Sequence, residues 1–382
     1  MMTIAATTTL APATARRDWL FLTGAVLATA LLVALVLIDG QPASAALLVL
    51  GFGLGAAFLK AEFSFTASWR RFLVHGEAGG LLVILLLIAL TAVAVVPVAA
   101  SWPHYGGSIA PLGPSLVIGA FVFGVGMQLA NGCGSGTLYT VGGGSGRMLI
   151  TLACFIVGSV LGSMSLPPFL RMGGLDPVLA SDYFGPWGGL AVTLASIAAV
   201  ALVIVVIARR RGAPLSTRGS FIAGALVIAA LMIGVFFAGG HPWSVTFGYT
   251  VWGGKLAMLA GADLSQFEFW QWPGPKHALS DSLLGDTASL TNLGMIFGAM
   301  AAAAFSAPFA HRPWPPLRSL AAAAIGGMLM GWGARLGFGC NIGAFVGGVA
   351  SGSLHGWIWF LAALGGCTIG IKCRPWFGLS RD

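Results

Sequence analysis

Polar positions along this chain come in short clusters, separated by long apolar runs. Ten runs approach the ~20 residues needed to cross a ~30 Å hydrocarbon core: 19–38, 43–59, 79–99, 115–131, 148–165, 187–208, 219–239, 291–308, 319–336 and 354–371. The pattern predicts an all-α polytopic membrane protein of about ten transmembrane helices plus re-entrant or half helices. Segment 240–290 is too polar to span simply, yet Trp252 to Gly261 is apolar enough for a half-helix or re-entrant piece. The first run is followed by Ala43-Ser44-Ala45, a small-x-small pattern that suits signal-peptide cleavage. Its apolar stretch from Trp19 to Ile38 is longer than a typical signal core, which favours a retained helix.

Composition narrows the function class. Of 382 residues, 57% are hydrophobic and 8% charged, with a mean hydropathy of +0.92. A chain this poor in polar side chains is neither a soluble enzyme nor disordered. The 57 glycines show no collagen-like period and suit close helix packing and broken helices in a membrane. The net charge of +8 does not indicate nucleic acid, because the cations sit between apolar runs where they set orientation. With the N-terminus in the cytoplasm, one side collects Arg16, Arg17, Lys60, Arg70, Arg71, Arg147, Arg209, Arg210, Arg211, Arg218, Arg312, Arg318, Lys372, Arg374 and Arg381. The other side holds Arg171, Lys255, Lys276 and Arg335, and its two longer loops carry Asp176, Asp182, Asp263, Glu268, Asp281 and Asp286. By the positive-inside rule both termini are cytoplasmic and the membrane is the cell inner membrane.

The chain also contains itself twice. Gly124-Val-Gly-Met-Gln-Leu-Ala-Asn-Gly-Cys133-Gly-Ser-Gly136 matches Gly331-Trp-Gly-Ala-Arg-Leu-Gly-Phe-Gly-Cys340-Asn-Ile-Gly343, 207 residues later. Each copy continues to a Ser-Gly pair (Ser145-Gly146, Ser351-Gly352) and a helix with Gly-x-x-x-Gly spacing (Gly158/Gly162, Gly366/Gly370). The ten-span topology inverts one copy relative to the other, with residues 1–210 forming the first repeat (segments 1–6) and 219–382 the second. Inverted repeats with broken helices place a substrate site at the repeat interface near the bilayer midplane. A receptor or scaffold has no such need.

Cys133 and Cys340 occupy glycine-rich turns at equivalent places. Glycine lets backbone approach closely and leaves N–H groups free to face an anion. A thiol adds a soft, polarizable contact suited to a sulfur-bearing substrate. A lone cysteine in such a turn is ordinarily a small hydrophobe; two at symmetry-related positions point to function. Asn131, Gly132, Gly134, Gly136, Gly339, Asn341 and Gly343 shape the turns and supply donors. Arg335, five residues before Cys340 in an apolar helix, is either an anion-attracting charge or a snorkelling side chain. Cys154, Cys367 and Cys373 have no repeat partner and read as packing residues, and His355 as a capping or packing residue. His241-Pro-Trp-Ser-Val-Thr246 followed by Trp252-Gly-Gly254 reads as an interfacial aromatic belt or as a pathway entrance. No cysteine–histidine spacing indicates a metal, no cofactor is implied, and no nucleotide-binding, nucleophile-triad or paired-carboxylate motif is present.

At its cysteine motifs, Leu129-Ala-Asn-Gly-Cys133-Gly-Ser-Gly136 and Gly333-Ala-Arg-Leu-Gly-Phe-Gly-Cys340-Asn-Ile-Gly343, the sequence resembles the YeeE/YedE family of sulfur-transport membrane proteins. Pro242-Trp-Ser-Val-Thr246 with Trp252-Gly-Gly254 is similar to a branch of that family linked to selenium metabolism. The resemblance implies an hourglass-shaped inverted-repeat protein through which thiosulfate passes along cysteines, held by S–H and backbone hydrogen bonds. One family stretch usually reads Arg-x-x-Phe-Cys. The matching stretch here is Lys60-Ala-Glu-Phe-Ser64, and a hydroxyl at Ser64 still donates but is less polarizable and cannot take part in thiol chemistry.

The expectation is therefore a permease, not an enzyme, that carries a small sulfur-containing inorganic anion, thiosulfate first, into the cytoplasm. Membrane lipid and a cytosolic sulfur-carrier protein are the other expected partners. The alternatives are a permease for a selenium compound or another sulfur anion, and a membrane component that delivers sulfur to a cytosolic sulfurtransferase.

Overall fold

The computed structural model describes residues 18–306 and 314–382. Among the described residues there is no β-strand, only isolated bridges at Leu112–Leu175 and Leu179–Ser353. The first half runs α1 (Trp19–Ile38), α2 (Pro42–Lys60), α3 (Phe65–His75), α4 (Gly79–Ser101), α5 (Pro114–Ala130), α6 (Gly134–Gly142), α7 (Gly146–Leu170) and α8 (Ala180–Arg210). The second runs α9 (Gly219–Gly239), α10 (Val245–Leu259), α11 (Pro273–Ser280), α12 (Thr287–Ser306), α13 (Leu317–Leu336), a π-helical turn (Asn341–Val346) that leads into α14 (Gly347–Ala350), and α15 (Leu354–Cys373).

Nine stretches among the described residues are long and apolar enough to cross a membrane. They correspond to the predicted runs except 319–336, which forms the 20-residue α13. That helix is rich in glycine and alanine and bounded by Arg318 and Arg335, so its hydropathy is low although its length suffices. Arg16, Arg17 and Arg312, and the end of the 291–308 run, lie outside the described residues. Segment 240–290 differs in detail from expectation. Its half-helix begins at Val245 rather than near Trp252, and so takes in the Ser244-Val-Thr246 stretch.

The long helices are apolar on all sides, as expected where lipid replaces water. Leu20, Leu27 and Leu31 of α1 and Leu202 and Val203 of α8 face outward. Most of α5, in contrast, is buried, from Ser115 and Leu116 through Phe123 to Ala130. Pro97 in α4 and Pro167 and Pro168 in α7 are tolerated inside membrane helices because neighbouring groups take up the freed backbone.

What brings the two halves together is glycine. On α7, a Cβ at Gly162 would stand 2.8 Å from the Cβ of Arg335 and 2.9 Å from the Trp332 carbonyl of α13. On α15, a Cβ at Gly370 would stand 2.7 Å from the Val125 carbonyl of α5, and one at Gly366 would strike the Phe121 carbonyl. The Gly-x-x-x-Gly helix of each half thus lies against the motif helix of the other. A third seam joins α2 to α12, where Gly51 and Gly55 meet the Thr291 and Met295 carbonyls and Gly298 meets that of Phe52. The halves interlock instead of abutting as separate bodies. Small residues at such seams gain dispersion contacts that lipid chains cannot match.

Gly366→Val should disrupt the α15–α5 seam, costing at least about 2 kcal/mol by overpacking, and should lower the thermal midpoint of the detergent-solubilised protein. Gly24→Ala in α1, where a Cβ meets nothing within 4 Å, should leave the midpoint unchanged or slightly raised.

Candidate functional site

Several short helices interrupt the long ones, and four of them start immediately after a serine or cysteine. Ser64 precedes α3, Cys133 precedes α6, Ser244 precedes α10 and Cys340 precedes the π-helical turn. The sequence repeat showed the cysteine pair; the structure adds the serine pair. Phe63-Ser64-x-Thr66 and Trp243-Ser244-x-Thr246 occupy corresponding turns, after α2 in one half and α9 in the other. Two residues with an aromatic neighbour are too short a likeness to find by inspection, and only the turns align them.

The two cysteines share a backbone conformation, with φ/ψ of −97°/−170° at Cys133 and −106°/−167° at Cys340. Two residues before each cysteine the backbone is left-handed, at φ 60° in both Asn131 and Phe338. Gly339 in addition has φ 151°, where a Cβ would also meet the Ala344 nitrogen at 2.7 Å. The extended cysteine then turns the chain so that the next helix points its free N–H groups back towards the centre. Cys133 Sγ accepts from the Gly136 N–H at 3.4 Å and lies 3.5 Å from the Ser135 hydroxyl. Both thiols are buried, with Cys133 1% and Cys340 0% exposed.

The two turns meet across the interface between halves. A Cβ on Gly134 would stand 3.0 Å from Cys340 Sγ and 3.4 Å from the Thr246 methyl, so glycine here lets the turns touch. A Cβ on Gly136 would meet Cys133 Sγ at 3.3 Å. Tyr249 donates its hydroxyl to the Gly134 carbonyl at 2.9 Å and ties α10 to the Cys133 turn. Ser108 donates to the Gly343 carbonyl at 2.7 Å and steadies the Cys340 turn. Asn292 braces the Ser244 turn on both sides: its amide donates to the Val245 carbonyl at 2.9 Å and its oxygen accepts from the Trp243 indole at 3.3 Å. Gly132 is the roomiest of the motif glycines on the Cys133 side, its nearest neighbour Met148 at 3.4 Å.

A cavity of about 1240 Å³ opens at the end of the molecule that carries Lys60, Arg71 and Arg218. Ser64, Asn131 and Tyr139 line it, and neither cysteine does. Ser64 also caps α3, accepting from the Ala67 N–H at 3.1 Å. At the opposite end a cleft of about 240 Å³ lies between Ser115, Gly173, Asp176 and Phe338. The paired cysteines therefore sit in a closed segment between two cavities.

Asn131 and Arg335 take parts that the sequence left open. The Asn131 carboxamide oxygen accepts from Arg70 at 2.8 Å and Arg374 at 3.3 Å, while Arg374 and Arg147 also bond to the carbonyls of Gln128, Leu129 and Ala130. Three arginines thereby satisfy the negative C-terminal end of α5, and Asn131 acts on them as an acceptor. Arg335 does not snorkel. It is half-buried in the last turn of α13 with its Nε enclosed, donates to the Thr250 hydroxyl at 3.3 Å, and lies 5.8 Å over the Phe247 ring and 5.5 Å from that of Phe269. Its Nε has no partner, and no carboxylate pairs with it among the described residues. Cys367 packs against the Gly124 carbonyl, and His355 bonds to Ser353 at 2.7 Å, both as the sequence indicated. No group of three metal-ligating side chains is found among the described residues.

The geometry is that of a membrane protein with two broken-helix turns enclosing sulfur, and comparison with known proteins agrees. A family model described as sulphur transport matches residues 60–369. The chain belongs to the sulphur-transport family. Within it, the chain is 34% identical over 148 residues to a protein named probable transporter YedE from Escherichia coli, covering 38% of this chain and 36% of that one. The YedE protein of Salmonella typhimurium matches at the same identity. The chain thus spans about a third of the length of these two relatives. It is 28% identical over 262 residues to the thiosulfate transporter TsuA of Spirochaeta thermophila, covering 63% of this chain and 72% of that protein. The relatives in this family are transporters and not enzymes.

Gly339→Ala should destabilise the Cys340 turn by about 1–3 kcal/mol through backbone strain, read as a lowered thermal midpoint. Gly132→Ala, with negative φ and only an ordinary contact to Met148, should shift the midpoint by less than a third as much.

Proposed function

We propose that this chain is a permease for a small sulfur-containing inorganic anion, thiosulfate first, taken up into the cytoplasm through the closed segment between the two cavities. The observation that carries this reading is the pairing of Cys133 and Cys340. Each thiol heads a short helix, the two helices come from opposite halves, and Gly134 brings the turns into contact. A helix N-terminus bears about half a positive charge together with unpaired N–H donors. Two such termini facing each other make a site for an anion in the middle of an otherwise apolar bundle. The thiols add polarizable contacts for a sulfane sulfur, while N–H groups serve the oxygens of the same anion.

Charge supports the same direction of thought. Half-buried Arg335, unpaired by any carboxylate among the described residues, raises the local potential for anions between Phe247 and Phe269. Around the larger cavity Lys60, Arg71 and Arg218 outnumber Glu62 and Glu77, although Arg218 is paired with Glu62 at 3.0 Å. The repeats, 1–210 and 219–382, would be inverted relative to each other, with the basic cavity facing the cytoplasm of a cell whose inner membrane holds the protein. Ser64 on the cavity wall then meets the anion last, as a hydrogen-bond donor without thiol chemistry.

In liposomes containing purified protein, uptake of labelled thiosulfate should fall at least tenfold in Cys133→Ala and in Cys340→Ala, while Cys154→Ala, packed beside Gly327 of α13 and lining neither cavity, should transport as the wild type. Normal uptake in both motif variants would end the cysteine part of the reading. Competition by selenite, sulfite and sulfate ranks the anions: strong inhibition by selenite and none by excess thiosulfate would move the substrate to selenium. Arg335→Leu should raise the KM for the anion about tenfold or more, given the ~1.5–3 kcal/mol of a hydrogen bond to a charged group.

A further inference from the structure

Ser244 stands where Ser64 stands in the other half, yet its hydroxyl is used differently. Ser64 caps its own helix through the Ala67 N–H, whereas Ser244 makes no capping bond to α10. A Cβ built on Gly343 would have Ser244 Oγ as its nearest heavy atom, at 3.9 Å. The hydroxyl thus faces the Cys340 turn across a gap left open by a glycine. In that turn Asn341 is fully buried, and neither its amide nitrogen nor its oxygen has a hydrogen-bond partner. A buried carboxamide with both ends unbonded is costly to keep in the interior. Its retention beside a half-helix N-terminus marks a place where a ligand completes the bonding. Thr246 and Arg335 extend the polar line: Thr250 donates to the Thr246 carbonyl at 3.0 Å and receives the Arg335 bond.

We propose that Ser244 and Asn341 form an oxyanion subsite on the acidic side of the cysteine pair, where the Ser244 hydroxyl and the Asn341 amide N–H groups hold the oxygens of the sulfur anion beside Cys340. The path then has four polar stations in the order Ser244, Cys340, Cys133, Ser64, one at the head of each short helix. Two features keep the new station in place. Asn292 clamps Trp243 and Val245 on either side of Ser244, and Tyr249 anchors α10 to Gly134. Gly343 keeps the gap open: its backbone φ is negative, so only the space, not the conformation, requires glycine there. The subsite recognises tetrahedral sulfur oxyanions through their oxygens, and the adjacent thiols then favour those with a terminal sulfur.

This inference rests on the permease reading, and its test separates the two. Equilibrium binding of labelled thiosulfate to purified protein in detergent gives a Kd without requiring transport. Ser244→Ala and Asn341→Leu should each weaken binding about tenfold, Ser244→Thr should restore it to within a few-fold, and Gly343→Val should abolish it by filling the gap. Thermal midpoints of Ser244→Ala and Ser244→Thr should both match the wild type, which a merely structural hydroxyl would not predict together with the binding loss. Wild-type affinity in Ser244→Ala and Asn341→Leu would overturn the subsite while leaving the cysteine-lined pathway standing. Binding lost in Ser244→Ala but net uptake absent from wild-type liposomes would uphold the subsite and overturn the permease. A wild-type protein that binds no thiosulfate would overturn both for that anion.

Discussion

Backbone meets backbone wherever α7 crosses α13, α15 crosses α5 and α2 crosses α12, because Gly162, Gly370 and Gly298 carry no side chain to hold the helices apart. This close approach is the constraint on which the remaining structure depends. Water does not drive helices together inside a membrane, so association rests on dispersion contact at short range. The same closeness encloses four helices too short to cross the bilayer. Irregular backbone at membrane depth is stable only where protein or a water-filled cavity surrounds it, and the three glycine seams provide that wall.

Enclosure has an electrostatic consequence. Two of the short helices begin at the buried thiols of Cys133 and Cys340, and the long helices around them contribute apolar walls. Partial charges in such surroundings are screened little, which is why the proposed anion site needs only oriented dipoles and the one guanidinium of Arg335. At the basic end the opposite problem arises: the C-terminus of α5 exposes its carbonyls. Arg70, Arg147 and Arg374 converge on that end through Asn131 and the backbone. These three arginines hold α5 and are distinct from Lys60, Arg71 and Arg218, which line the cavity together with Glu62 and Glu77.

The interlocking of halves also explains why the site is symmetric in plan and asymmetric in chemistry. Cys133 and Cys340 adopt nearly the same backbone angles, but the residues that follow are Gly134 in one turn and Asn341 in the other. A glycine at the first position lets the opposite thiol approach, while an asparagine there places an unbonded amide in the interior. On the proposed path an anion would meet two different environments, one at each copy of the repeated motif.

The amino-acid order by itself determined the class of protein, the apolar spans, the cysteine repeat and the glycine spacing, because hydropathy and local spacing are properties of neighbouring residues. It also marked Cys133, Cys340 and the turns around them. It missed Ser244 as the counterpart of Ser64, because the likeness of Phe63-Ser64 to Trp243-Ser244 is too short to register without the turns superposed. Nor did it distinguish snorkelling from burial at Arg335: a residue one turn from a helix end is free to do either, and the packing of Phe247 and Phe269 decides. The acceptor role of Asn131 depends on Arg374, 243 residues away in the chain. The vacant bonding capacity of Asn341 is likewise a property of its surroundings. Tertiary structure alone decided these points, since each concerns which distant groups are brought within a few ångströms and which are left without a partner.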